Sequence, residues 1–163
     1  HETLIARMKP LADNATPSGN GVAALALGRL SVVTGELAYA EAARAAVVAA
    51  MPAMRDTPAA HATLLMALAE TLSPPRSVVL QGEAAPLAGW QSRLGGRYLP
   101  DALVLAVPAG TGPLPAMLDK GGAEPSPGGM VRAWLCQGMV CFPPTEDFDK
   151  LAAALFQSSQ ENP

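Results

Sequence analysis

Two stretches of this 163-residue chain hold side chains whose types and spacing could do chemistry. One is the pair Cys136 and Cys141, set in the run VRAWLCQGMVCF from Val131 to Phe142. A thiol pair of this kind could exchange disulfides, provided one sulfur can be held as its thiolate. The other is Pro17-Ser18-Gly19-Asn20, a Pro/Gly-broken loop that opens a helical pattern. The backbone N–H groups at such a helix start suit an anionic or hydroxyl-rich ligand. The same residue types are also what a plain helix N-cap uses.

The remaining candidates are bland. His61 lies in an alanine-rich stretch with no second histidine or carboxylate one turn further on, and reads as a surface or half-buried residue. Asp13 and Glu36 could act as acids but read rather as capping or solvated carboxylates, and Trp90 and Trp134 read as core or domain-interface anchors. Two cysteines are too few for a disulfide framework or for a zinc site, which draws on about four Cys or His ligands. No GxGxxG, P-loop or HExxH motif occurs, so no metal and no cofactor is expected.

The elements that must position these residues follow from hydrophobic periodicity. Leu4, Ile5 and Met8 share one face of a helix end that Pro10 stops. After the loop, Ser18 or Asn20 caps a helix whose expected buried stripe is Val22, Leu25, Leu30 and Val33, and Gly35 closes it in the left-handed conformation. Glu36 starts a second helix that offers Leu37, Tyr39, Ala43, Val47 and Val48 for packing and is expected to end or kink at Pro52. The connection is so short that the two helices must be antiparallel neighbours. A third helix is expected from about Pro58 to Leu72, capped by Thr57, before Ser73-Pro74-Pro75 closes the helical half.

The character then changes. Arg76–Gly82 reads as a buried strand, Ala85–Leu94 as a helix weakened by Gly89, and the apolar run Ala102–Val107 as a strand covered on both faces. Strand, helix, strand in that order implies a parallel pair. A Gly/Pro-rich connection over Thr111–Pro127 holds at most one helical turn, at Leu114–Leu118. Val131–Phe142 splits at Gln137-Gly138 into a tight hairpin that Pro143 and Pro144 end. With that turn, Cys136 faces Met139 and Cys141 faces Trp134. The two thiols are then diagonally offset on one sheet face, near or beyond the ~7 Å Cα separation that a bridge tolerates. Two buried thiols are the expectation, which a shift in hairpin register would overturn. Thr145 is expected to cap a final helix with Phe148, Leu151, Leu155 and Phe156 inward, and with Glu146 and Asp147 where the helix dipole favours them.

Composition excludes several function classes. The net charge is −3 and the eleven Lys and Arg are scattered, so no basic stripe recruits nucleic acid. No apolar run reaches the ~20 residues of a membrane span, and no charged-then-apolar signal opens the chain. The first residue is His1, inside a helical pattern, which suggests an excerpt of a longer protein. A cytoplasmic location is expected.

Asp13–Asn20 (DNATPSGN), followed by GVAALALGRLSVVTGE and Tyr39, resembles the C-terminal part of the spermatogenesis-associated protein 20 family, thioredoxin-domain proteins of the DUF255 type. The VVLQG strand after a proline break, Tyr98-Leu99-Pro100 and WLCQGMVCFPPT agree with it. Gly21 departs from the pattern, standing where the family more often has serine. The resemblance implies the order thioredoxin-like domain, α/α toroid similar to sugar epimerases and six-hairpin glycosidases, then a small α/β tail. It places this chain at the end of that order, without the redox domain.

The resulting expectation is an α/β chain: residues 1–75 form antiparallel helical hairpins ending an α/α toroid, and 76–163 a small thioredoxin-like β-α-β…β-β-α domain. The expected role is a non-catalytic structural or interaction region. The remainder of the parent chain is its partner, a carbohydrate could bind at Pro17–Asn20, and the exposed helical face could form a homodimer. A thiol–disulfide module built on Cys136 and Cys141 is one alternative, and an interaction domain whose exposed helical face binds a partner is another.

Overall fold

The computed structural model describes residues 9–120, 129–138 and 140–157. The expected helix at Leu4–Met8 and part of the Thr111–Pro127 connection lie outside them. The chain forms two compact units, one up to Pro74 and one from Pro75. It is a mixed α/β protein: among the described residues a helical unit comes first, and a four-stranded sheet with two helices follows.

In the helical unit, α1 (Gly19–Thr34) and α2 (Leu37–Asp56) form the expected hairpin, closed by Gly35 at φ 78° with its N–H on the Ser31 carbonyl. Only Leu25 and Val33 of the expected stripe on α1 are even partly buried. Gly21 and Ala24 are buried there and Leu25 is partly so, whereas Val22 is 49% and Leu30 44% exposed. The small residues decide this, because they let helix backbones approach: a Cβ on Gly28 would lie 4.0 Å from that of Ala43 on α2. Bulky Val22 and Leu30 cannot enter so narrow a space. On α2, Ala43, Val47, Ala50 and Met54 are buried, while Leu37, Tyr39 and Val48 are exposed.

Pro52 does not end α2. The helix runs through it to Asp56. The missing N–H frees a carbonyl one turn back, at Val48. Both residues are exposed, so solvent can bond that carbonyl. The third helix also starts later than expected. Pro58–Ala60 is a single 3-10 turn, α3 spans Ala62–Leu72, and the Thr57 hydroxyl caps neither. Leu64 and Ala67 complete the core, and Arg29 on α1 forks onto the Glu70 carboxylate of α3.

The second unit contains β1 (Arg76–Gly82), α4 (Ala84–Gly95), β2 (Ala102–Pro108), β3 (Arg132–Gln137), β4 (Val140–Cys141) and α5 (Phe148–Gln157). The strand order is β2-β1-β3-β4, with β1 and β2 parallel and the other neighbours antiparallel. Alternation along the strands sorts the side chains onto two faces. Val78, Leu80, Ala133 and Leu135 pack with Leu87 and Leu94 of α4 and Phe148, Leu151 and Leu155 of α5. Val79, Val107, Trp134 and Cys136 pack with Leu114 and Leu118 of the β2–β3 connection. Within its described residues that connection turns at Pro108–Thr111 and again at Pro115–Asp119, where the Leu118 and Asp119 N–H groups reach the Pro115 carbonyl. β2 is an edge strand and mostly half-buried, so its apolar run does not mark full burial on both faces.

Two further details differ from expectation. The N-cap of α5 is Asp147, whose Oδ1 accepts from the N–H groups of Asp149 and Lys150. Thr145 instead bridges backbone to backbone with Ala133. Trp90 and Phe148 meet edge to face at 5.1 Å, and the Arg93 guanidinium lies 3.4 Å from the Phe148 ring centre, joining α4 to α5.

Arg76, at the head of β1, is buried. Its Nη1 donates to the Leu155 carbonyl in the last turns of α5, where a cation suits the helix dipole, and its Nη2 pairs with Asp101 before β2. Replacing Arg76 with Met should cost the sheet unit roughly 1–3 kcal/mol, the range for orphaning a buried polar partner. Both tryptophans, Trp90 and Trp134, lie in this unit. Denaturant unfolding followed by tryptophan fluorescence therefore reads the loss directly.

Candidate functional site

The loop before α1 is organised by Asp13. One carboxylate oxygen accepts from the Ser18 N–H and the other from the Thr63 N–H, each at 2.8 Å. The Asp13 N–H in turn reaches the Ala60 carbonyl at 2.7 Å. A single side chain thus satisfies donors at the starts of two helices. Ser18 is buried and caps α1 through Oγ, which accepts from Gly21 N–H at 3.1 Å. Asn20 donates from Nδ2 to the Pro10 carbonyl. Pro17 and Gly19 are exposed. The candidate loop Pro17–Asn20 therefore commits its two polar side chains to the fold and leaves backbone at the surface.

Gly21 is fixed by close approach. A Cβ there would lie 2.9 Å from both Cβ and Cγ2 of Thr63 and 3.0 Å from the Ser18 hydroxyl. His61, expected at the surface or half-buried, is buried, with Nδ1 2.8 Å from the Thr57 carbonyl. It sits in the corner between the 3-10 turn and α3, just before the Thr63 N–H that Asp13 holds. Ser18, His61 and Asp13 include the residue types of a hydrolase triad, but Ser18 and Asp13 bond to backbone and not to the imidazole.

The Ser18 N–H is the largest cause holding the Asp13 carboxyl below its ordinary value of 3.8, followed by the Thr63 N–H; burial opposes them, and the Thr63 hydroxyl and the charge of His61 assist.

The cysteines overturn the expectation of two separate thiols. Cys136 and Cys141 are bridged, with Cα atoms 3.9 Å apart. Gln137 pairs with Val140, so Gln137 belongs to the strand and the loop begins at Gly138, not at Gln137. The cause is Gly138 at φ 58°. The tight hairpin turns require positive φ at the first loop position, and only glycine takes it freely. Moving the turn by one residue brings Cys136 directly opposite Cys141 and removes the diagonal offset.

The two sulfurs differ in surroundings. Cys136 is fully buried beside Val79, Val107 and Trp134, while Cys141 is half-buried and its Sγ lies 3.2 Å from the Lys120 Nζ. Desolvation pushes the Lys120 ammonium below its ordinary value. Arg132, on the same face of β3, is held by Glu146.

Elsewhere the described residues contain no group of three or more His, Cys, Asp and Glu able to hold a metal ion, and no helix long and apolar enough to cross a membrane. No protein-family model and no curated protein matches the chain.

Asp13 gives a pH dependence with a definite sign. Its folded pKa is depressed, so its stabilisation is present above the unfolded value of 3.8 and is lost as pH falls through the folded one. Thermal melts by circular dichroism should show Asp13→Asn less stable than the parent at pH 7. The gap should narrow below pH 3.8, and the Ser18 and Thr63 amides should exchange faster in the variant at neutral pH.

Proposed function

We propose that this chain is the C-terminal region of a thioredoxin-like/α-α toroid protein of the spermatogenesis-associated protein 20 type, acting as a non-catalytic structural or interaction region. The observation that carries this reading is the outer face of the helical hairpin. Val22 and Leu30 lie two turns apart on α1, and Leu37 and Val48 are exposed on α2. Apolar side chains placed so regularly on the outside of helices suit burial against further helices. The sheet unit supports the same reading: its strand order, with α4 and α5 on one face, agrees with a thioredoxin-like core. Its α4 begins at Glu83-Ala84-Ala85, without a cysteine at the helix start where a redox pair of that fold class would gain its thiolate. Under this reading the Pro17–Asn20 loop offers a carbohydrate backbone groups from a cavity wall, and the sugar's other contacts come from the rest of the parent chain.

Light scattering on size-exclusion fractions tests the interaction face. The 163-residue chain should self-associate with rising concentration, and Val22→Lys with Leu30→Glu should make it monomeric. Exposed substitutions of this kind shift stability by no more than about 0.5 kcal/mol each. A parent chain that stays monomeric throughout would remove the argument from the exposed stripe.

A second reading, a thiol–disulfide module, is favoured by the register that places Cys136 opposite Cys141. Equilibration in glutathione buffers of graded ratio should move the protein between bridged and dithiol forms without unfolding it. A bridge that opens only with denaturant is a hairpin staple, and the redox reading falls.

A further inference from the structure

We propose that Cys141 is the sulfur through which the bridge exchanges with small thiols and disulfides, with the Lys120 ammonium holding its thiolate and Cys136 acting as the resolving thiol. The inference rests on the redox reading above. It begins from the asymmetry of the pair. Cys136 has no exposure and apolar neighbours in Val79, Val107 and Trp134, so no external thiol reaches it and nothing there favours its charge. Cys141 is half-buried, at the end of the two-residue strand β4. Its Sγ is within hydrogen-bond distance of Lys120.

A thiolate beside an ammonium forms at lower pH than an isolated thiol does, and the thiolate is the reacting form. The benefit is mutual: the lysine, partly stripped of solvent, regains a counter-charge when the bridge opens. The other charged groups on this face are the Arg132–Glu146 pair at the far end of β3 and Asp119 beside Lys120.

The steps balance with a small thiol as the only co-reactant. A thiolate RS⁻ attacks Cys141 Sγ, the Cys136–Cys141 bond breaks, and Cys136 departs and takes a proton. A second RS⁻ attacks the sulfur of R in the Cys141–S–S–R adduct, releasing RSSR and the Cys141 thiolate beside Lys120. In sum, the protein disulfide and two RSH give the dithiol and RSSR. Reversal begins with the Cys141 thiolate attacking RSSR, and Cys136 then resolves the adduct.

The test uses the whole 163-residue chain, reduced and then exposed briefly to oxidised glutathione, with adducts located by peptide mass spectrometry. Glutathione should appear on Cys141 well before Cys136. In parallel, iodoacetamide alkylation of Cys141 is followed against pH in the parent, Lys120→Met and Lys120→Arg. Lys120→Met should slow alkylation at pH 7 by roughly three- to tenfold and displace the profile to higher pH, while Lys120→Arg keeps the parent behaviour. Adducts formed first on Cys136, or a Lys120→Met profile identical to the parent's, overturn this assignment while the redox reading stands. A bridge that glutathione and dithiothreitol cannot open in the folded protein overturns both.

Discussion

One carboxylate determines how the helical unit is assembled. Asp13 accepts the Ser18 N–H with one oxygen and the Thr63 N–H with the other, and these donors belong to helix starts far apart in sequence. A helix start presents donors that have no partner within the helix, and its dipole favours negative charge. Asp13 meets both needs for α1 and α3 at once. The rest of the loop follows from it: Ser18 is placed to cap α1, and the small faces of α1 and α2 close on Leu64 and Ala67.

The sheet unit is fixed differently, by register. β1 is the central strand that pairs with both β2 and β3, and its alternation sends Val78 and Leu80 to the helices and Val79 to the face with the cysteines. On β3 the sheet leaves little freedom, because Val79 opposite Trp134 and Ser77 opposite Cys136 already set which face Cys136 takes. The loop that begins at Gly138 settles which residue of the returning strand faces Cys136, and with it the face on which Cys141 lies. Arg76 then ties the head of the central strand to the end of α5, closing the side that α4 and α5 cover.

Most elements were legible in the sequence because their signals are local. Gly35 ended α1, the proline breaks bounded the strands, and the order of strands and helices was readable from periodicity. What escaped was set by contact. The inner side of α1 went to Gly21 and Ala24, since hydrophobicity ranks Val22 and Leu30 above them while close packing ranks them below. The hairpin was misplaced by one residue because a Gln-Gly pair looks like a two-residue loop until the position needing positive φ is assigned to the glycine. That one step separates two diagonal thiols from a bridge. The carboxylate of Asp13 was readable as a cap, but its second partner, fifty residues on, was not.

The contact between Gly21 and Thr63 has a consequence for how this protein can vary. Thr63 contributes twice, its N–H to Asp13 and its side chain to the wall against Gly21. A serine at position 21 would put its Cβ 2.9 Å from the Cβ of Thr63, an atom that every residue but glycine carries, and 3.0 Å from the Ser18 hydroxyl. A smaller side chain at position 63 would remove the Cγ2 contact and leave the other two. Room at position 21 therefore comes from moving the start of α1 away from α3 and not from trimming one side chain, so this glycine sets how closely the two helices meet.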